Sequence, residues 1–251
     1  MELYILGSGT CIPNLERHPP GILIKTEQED ILIDSGSGTL RQLLKIGVDY
    51  RQLKHLMYTH SHPDHTAELI PILLALYVST QDVRKDDLLI YGPPGFSEFF
   101  QNLAAAYGAW VLQHNLEIQV RELLQNQVQI AGCTVTTAPM KHARHSIGYR
   151  FDSADNKCIT YSGDTDYCRE IIELARESDV LILECSFPDD QKMNGHLTPT
   201  SAATIAAEAN CKHLVLTHFY PACDKIDILP ICQKIYSGKI SLAADLMHIK
   251  L

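Results

Sequence analysis

The chain has 251 residues, of which 45% are hydrophobic and 20% charged. That is ordinary globular composition, long for one average domain but within the range of a single large α/β domain. A formal net charge of −9 without any Lys/Arg run makes a nucleic-acid partner unlikely, since a protein that grips the phosphate backbone unaided shows a basic patch. The longest apolar stretch, Leu69–Val78, is about half a membrane span, and the opening run Leu3–Leu6 lacks the basic start of a secretory signal. No membrane association is expected.

A strand over Leu3–Leu6 ends at Gly7-Ser8-Gly9. Gly21–Lys25 and Asp30–Ile33 read as the next two strands, and Ser35-Gly36-Ser37-Gly38 leads to a helix over Leu40–Lys45, closed by Gly47. His55–Tyr58 is a short strand that runs into a histidine-rich loop. Beyond it, Leu69, Ile70, Leu73, Leu74 and Tyr77 recur at helical spacing. Ile72, Leu74, Leu76 and Val78 make the segment Ala67–Val78 apolar on more than one face, which predicts burial in a homodimer interface, with burial inside one chain as the alternative. Leu88–Tyr91 reads as a strand stopped by Gly92-Pro93-Pro94-Gly95, and Phe96–Trp110 as a helix.

The middle of the chain changes character. Leu116–Val120, Val128–Ile130, Thr134–Thr137, Ser146–Phe151 and Cys158–Tyr161 read as successive strands. Then come helix Tyr167–Arg176, strand Val180–Glu184, helix Ser201–Ala209 and strand Leu214–Thr217. A short helix near Leu229–Ile235 and a last strand at Met247–Lys250 complete the series. A β-rich middle between two βα-rich halves predicts an α/β fold of two sheets packed face to face with helices outside, a four-layer αββα sandwich. Residues 1–251 are expected to form it as a single domain. The eight cysteines form no CxxC pair and several sit in apolar runs, so they read as reduced, packed thiols, which fits the cytoplasm.

The strongest local signal is Thr59-His60-Ser61-His62-Pro63-Asp64-His65. Positions i and i+2 of an extended segment share a side, so His60 and His62 can bind one metal ion. Pro63 suits the first position of a helix, which turns Asp64 and His65 toward a second ion. A solvated polar loop at a helix start is the bland alternative, and three histidines in six residues weigh against it. Three further candidates follow strands: His142, Asp164 in Ser162-Gly163-Asp164-Thr165, and His218. Taken singly, Asp164 also reads as a turn residue and either histidine as a satisfied core side chain.

Together, Asp34 in Ile33-Asp34-Ser35-Gly36, the Thr-His-x-His-x-Asp-His block, His142, Ser-Gly-Asp164 and Leu-Thr-His218 resemble the metallo-β-lactamase superfamily. The likeness runs from Leu3 to about Pro221. It implies that superfamily's αββα sandwich and two divalent metal ions, usually zinc. It puts His60, His62 and His142 on the first ion, Asp64, His65 and His218 on the second, and Asp164 between them. Asp34 is expected to support the site through hydrogen bonds. The nitrogen and oxygen donors also suit manganese, iron or cobalt. His62, rather than Glu, disfavours the redox di-iron branch.

Within the superfamily, Leu6-Gly7-Ser8-Gly9-Thr10, His142-Ala-Arg-His-Ser-Ile-Gly-Tyr149-Arg150 and Gly195-His196-Leu-Thr-Pro-Thr-Ser-Ala-Ala are similar to the ribonuclease Z group and its phosphodiesterase relatives. That likeness implies that His196 faces the reacting phosphate and that Glu184 orients it. A polar loop residue before a helix is the alternative for His196. The chain departs from ribonuclease Z in three places. The arm that grips transfer RNA is missing after Arg150, Pro63 replaces a Gly, and Ser35-Gly36-Ser37-Gly38-Thr39 replaces the family's stretch after Asp34.

The expected activity is that of a two-metal phosphodiesterase on a small or cyclic phosphodiester. Two cations make hydroxide available near neutral pH, Asp64 helps manage the water proton, and His196 donates to the oxyanion or the leaving group. The competing expectations are hydrolysis of a lactone, thioester, sulfate or phosphotriester, processing of transfer RNA 3′ ends, and a non-catalytic metal-binding scaffold. His145 is expected at the pocket edge, with a structural role as the alternative, and His18, near Arg17, is expected to border the pocket. His55, His114, His213 and His248 have no motif context and read as surface or strand residues.

Overall fold

The computed structural model describes residues 1–79, 87–112 and 117–251. His114 and Leu116, the first residue of one predicted strand, lie outside them. The elements run β1 (Glu2–Gly7), β2 (Gly21–Lys25), β3 (Asp30–Ser35), α1 (Thr39–Lys45), β4 (His55–Met57), α2 (Pro63–Thr66), α3 (Leu69–Ser79), β5 (Leu88–Gly92), α4 (Phe96–Tyr107) and β6 (Ile118–Glu122). They continue with β7 (Gln127–Ile130), β8 (Cys133–Pro139), β9 (Ile147–Ser153), β10 (Cys158–Tyr161), α5 (Arg169–Leu174), β11 (Val180–Glu184), α6 (Pro199–Glu208), β12 (His213–Thr217), α7 (Ile228–Gln233), β13 (Lys239–Leu242) and β14 (Met247–Lys250).

Two seven-stranded sheets result, ordered β14-β1-β2-β3-β4-β5-β6 and β13-β12-β11-β10-β9-β8-β7. Each is half antiparallel and half parallel. In the first, β14, β1, β2 and β3 pair antiparallel, and β3 to β6 pair parallel. In the second, β7 to β10 pair antiparallel, and β10 to β13 parallel.

Side-chain alternation explains the layers. Along β3, Ile31 and Ile33 face the space between the sheets, where they share a core with Val135, Tyr149, Phe151, Ile159, Ile182 and Val215. Leu32 faces the other way, into a cluster with Leu43 of α1, Leu73 of α3 and Phe100 of α4. On the second sheet, Leu181, Leu183, Leu214 and Leu216 pack outward on Ile171, Ala202, Ile205 and Ile228 of α5, α6 and α7. A strand buried on both faces needs apolar residues at every position, and this is why β3, β11 and β12 read as nearly unbroken apolar runs. The order is helices, sheet, sheet, helices, the αββα sandwich expected from the sequence.

Local departures have local causes. α4 stops at Tyr107, short of the expected Trp110, because Gly108 adopts φ 103°, open to glycine and costly for other residues. β13 was not expected. It is a four-residue edge strand with a half-exposed pattern, too short to carry a periodic signal. The apolar helix α3 is covered mainly by its own chain: Leu69, Ile70, Ile72, Leu73 and Leu76 are buried, while Leu74, Tyr77 and Val78 stay exposed. Among the described residues no helix is long and apolar enough to cross a membrane. Six cysteines are buried, Cys168 is half-buried and Cys11 exposed, all as free thiols.

Candidate metal centre

The ends of β3, β4, β8, β10, β11 and β12 open on one cleft. Asp34 stands near the end of β3. Past β4 come Thr59, His60 and His62. Pro63 is the first residue of α2 with His62 as its N-cap, so Asp64 and His65 lie on the first helical turn. From the second sheet, His142 follows β8, Asp164 follows β10, Glu184 ends β11 and His218 follows β12. Asp34 and His218 turn the chain sharply with φ 54° and 59°.

The cleft brings together all seven residues expected to bind metal. One ligand atom each from His60, His62, His142 and Asp164 lie within 4.8 Å of one another, and the same holds for Asp64, His65 and His218. His142 Nε2 is 3.1 Å from His62 Nδ1 and 3.7 Å from Asp164 Oδ2, while His60 Nε2 is 3.9 Å from that oxygen. On the other side, His65 Nε2 and His218 Nε2 stand 3.2 and 3.4 Å from Asp164 Oδ1. His218 Nε2 is also 3.5 Å from Asp64 Oδ2. Asp164 thus presents one oxygen to each group.

The outer nitrogens are tied down. His65 Nδ1 donates to Asp34 Oδ2 at 2.8 Å. Thr59 Oγ1 donates to the same Asp34 oxygen at 2.9 Å and meets His60 Nδ1 at 3.0 Å. His142 Nδ1 donates to the Gly195 carbonyl at 2.8 Å. Ser186 Oγ donates to Glu184 and lies 2.9 Å from His218 Nδ1. With the hydroxyls committed to carboxylates, each of these four rings keeps its proton on Nδ1 and aims the Nε2 lone pair inward, the arrangement typical of metal-binding histidines. His62 alone turns Nδ1 inward.

The inward atoms test whether these residues fit a metal. His60 Nε2, His65 Nε2, His218 Nε2 and Asp164 Oδ1 are buried and have no hydrogen-bond partner. Buried polar groups are nearly always paired, and four orphans aimed at one another are what a cation would satisfy. The donors are nitrogen and oxygen, at home on zinc and its neighbours. The electrostatics agree. Burial and the neighbouring His65 hold His60 well below the ordinary histidine value. Burial would raise Asp164, but His218 and His65 outweigh it and keep the carboxyl ionised. Burial would lower His65, yet Asp164 and Asp34 raise it well above the ordinary value. The spot between His65 and Asp164 therefore favours positive charge, whether a proton or a metal ion.

His196 stands at the edge of this cluster. Its Nδ1 lies 3.1 Å from Glu184 Oε1 and 3.9 Å from Asp164 Oδ2. Glu184 is buried and also accepts from Thr165 N at 2.7 Å and Leu197 N at 3.1 Å, so it cannot swing away. Phe187 and Tyr220 stack at 4.5 Å and wall the same side. Asp164, His196 and His218 also meet the 4.8 Å spacing of a metal group, so geometry alone leaves His196 two roles.

The other described histidines belong to none of these groups. His145 is exposed with φ 67° and its Nε2 accepts from Arg144 Nε. His18 pairs with Asp245 at 2.7 Å, His213 with Ser241 at 2.9 Å, and His248 stacks on Tyr4 at 4.2 Å. His55 meets Glu29. The sequence reading missed Ser186, Tyr161 and the Gly195 carbonyl as supports. Ser186 was within reach, because it lies two residues past Glu184 and shares its side of the extended chain. A backbone carbonyl leaves no mark in a sequence.

Residues 29–219 match the family model described as a beta-lactamase superfamily domain. The mitochondrial ribonuclease Z of Drosophila melanogaster is 30% identical over 269 residues, covering 99% of this chain but 35% of that protein. The chain thus spans about a third of its length. Ribonuclease Z of Mycobacterium bovis is 27% identical over 275 residues, covering 100% of this chain and 98% of the relative. Among solved structures, the metallo-beta-lactamase fold protein YhfI from Bacillus subtilis superposes with a TM-score of 0.85 at 23% identity, covering 99% of this chain and 98% of that one. Human tRNase Z, short form, gives 0.80 at 25% identity, covering 100% and 99%. Relatives named for RNA and tRNA conflict with the inference from net charge that a nucleic-acid partner is unlikely. A whole-chain charge says little about the potential at one cleft, and Lys141 and Arg144 are exposed next to His142 in the chain.

Proposed function

The chain belongs to the beta-lactamase superfamily, and from that premise we propose that it is a metal-dependent phosphodiesterase formed by residues 1–251 as one hydrolase domain. Two divalent ions, zinc by preference, would be held by His60, His62 and His142 on one side and Asp64, His65 and His218 on the other, with Asp164 between. Bound ions of this kind lower the pKa of water toward neutrality and offset charge on phosphoryl oxygens. Asp64 would help manage the water proton as a hydrogen-bond acceptor. Burial alone would raise its pKa, but the hydrogen bond to His218 and the charge of His65 keep it well below the usual range, so it is ionised and can orient a water. His196, gripped at Nδ1 by Glu184, is the group free to hydrogen-bond a phosphoryl oxygen or to protonate the leaving group.

The observation that carries this reading is the Glu184–His196 pair beside the cluster. A histidine held by a buried carboxylate favours its protonated form: burial works against the proton, but the Glu184 hydrogen bond and charge prevail and raise its pKa. Substrate size is the finer point. β9 and β10 are joined by residues 154–157 alone, with no inserted arm to grip a large RNA at that place. This supports a small or cyclic phosphodiester. The ribonuclease Z relatives support a second reading, cleavage at the 3′ end of transfer RNA. We also propose a homodimer seamed by the exposed side of α3.

The test compares zinc- and manganese-loaded protein on a chromogenic phosphodiester, a cyclic nucleotide, a precursor tRNA, and lactone, thioester, sulfate and phosphotriester probes. His196→Ala should keep its metal and lose about 10²-fold or more in turnover on phosphodiesters with poor leaving groups. Glu184→Gln should lose less. Wild-type turnover in His196→Ala, or activity confined to the other esters, would overturn the assignment.

A further inference from the structure

Lys192 and Asp166 take no part in the cluster, yet they fasten the loop that serves both sides of it. Lys192 Nζ donates to Asp166 Oδ1 at 2.8 Å, to the Met193 carbonyl at 2.9 Å and to the His196 carbonyl at 2.6 Å. An ammonium has three donors, and here all three are used. Asp166 Oδ1 also accepts from Tyr167 N at 2.7 Å, and Oδ2 from Gly195 N at 3.2 Å. Asp166 N donates to the Lys141 carbonyl at 2.8 Å. The pair thereby links three segments: the turn that carries Asp164, the loop that carries His142, and residues 192–196.

What this loop presents explains the fastening. The Gly195 carbonyl receives the His142 Nδ1 proton at 2.8 Å, and the next residue is His196, held by Glu184. Gly195 has φ 87°, and a Cβ there would come within 3.1 Å of His142 Nδ1. The backbone is thus pressed against the imidazole it orients. A shift of this loop would misalign the ring of His142 and the ring of His196 together.

We propose that Lys192, paired with Asp166, is a positioning residue that sets His142 and His196 in one geometry. The ion pair is only partly screened, with 34% and 12% side-chain exposure for Lys192 and Asp166, and the ammonium replaces backbone hydrogen bonds that a non-repetitive loop lacks. Lys192 itself need touch neither metal nor substrate. The inference rests on the proposed roles of His142 and His196.

The test uses Lys192→Met, Lys192→Arg and Asp166→Asn in the full chain, with His196→Ala alongside. Arg169→Ala serves as a control, since its ion pair with Glu173 lies in the open at 85% and 52% side-chain exposure. Lys192→Met should lower kcat about tenfold on a poor-leaving-group phosphodiester with KM little changed, because misplacing a catalytic group acts on the chemical step. The loss should shrink for good leaving groups. In chelator competition the variant should release zinc more readily than wild type, since His142 is less well oriented. Lys192→Arg should recover part of both, and Asp166→Asn should show the same pattern more weakly if Lys192→Met fails to fold. Wild-type kcat and zinc affinity in Lys192→Met, with His196→Ala impaired, would overturn the proposal and leave the proposed function standing. A loss equal on all substrates, with a lower Tm and no change in zinc affinity, would also overturn it. An unimpaired His196→Ala would instead remove the proposed function on which it rests.

Discussion

Asp34→Asn isolates what a buried support contributes to the site. Asp34 is 1% exposed and accepts from Thr59 N at 2.9 Å, Thr59 Oγ1 at 2.9 Å, His65 Nδ1 at 2.8 Å and Tyr161 Oη at 3.2 Å. Asn has the same shape and tolerates the left-handed φ of 54° at this position, so the backbone is not disturbed. The new amide nitrogen cannot accept. Placed at Oδ2 it would confront three donors, so it takes the Oδ1 side and leaves the Thr59 amide unpaired. One orphaned buried donor costs about 1–3 kcal/mol, and exchanging a charged for a neutral acceptor at His65 costs about 1 kcal/mol more. The sum, roughly 2–4 kcal/mol, is a large share of the ~5–15 kcal/mol of a typical domain. The weakened grip on His65 should also lower metal affinity about 10- to 100-fold. Urea titration of the metal-loaded protein reads the first effect and chelator competition the second. A variant within about 0.5 kcal/mol of wild type, with unchanged metal affinity, would refute the idea that Asp34 fixes the ring.

Asp164 faces both halves of the cluster, so Asp164→Ala should lose most of two bound ions per chain by elemental analysis. One tightly held ion in both proteins would count against a two-metal site. A homodimer through α3 should show about twice the 28.1 kDa chain mass in light scattering at micromolar concentration. Val78→Glu, at a position 68% exposed, should shift it to monomer, and a monomeric wild type would end the proposal.

Strands buried on both faces were the most legible part of the fold. β2, β10 and β11 stand at the bounds read from their apolar runs, because all their positions but Lys25 are buried. The elements that escaped were those set by tertiary context. β13 is the example: it exists because β12 offers it an edge, whereas the single turn of α2 starts at Pro63 as the sequence indicates. The Thr-His-x-His-x-Asp-His block was legible because its ligand types are crowded into seven residues. Asp166 and Lys192 were not, because each is ordinary in its own segment and they meet only after 26 residues of chain have folded back.

The placement of β1 has a consequence in time. It lies between β2 and β14, pairing Glu2 with Lys250 and Ile5 with Met247. One neighbour is synthesised within the next twenty residues or so, the other after all the rest of the fold. At ribosomal speeds of about 5–20 residues per second, the outer edge of β1 waits about 10–50 s for its partner. An apolar strand with an open edge invites pairing with other chains. The outer edge of β1 is thus open to such pairing until the β14 segment leaves the ribosome.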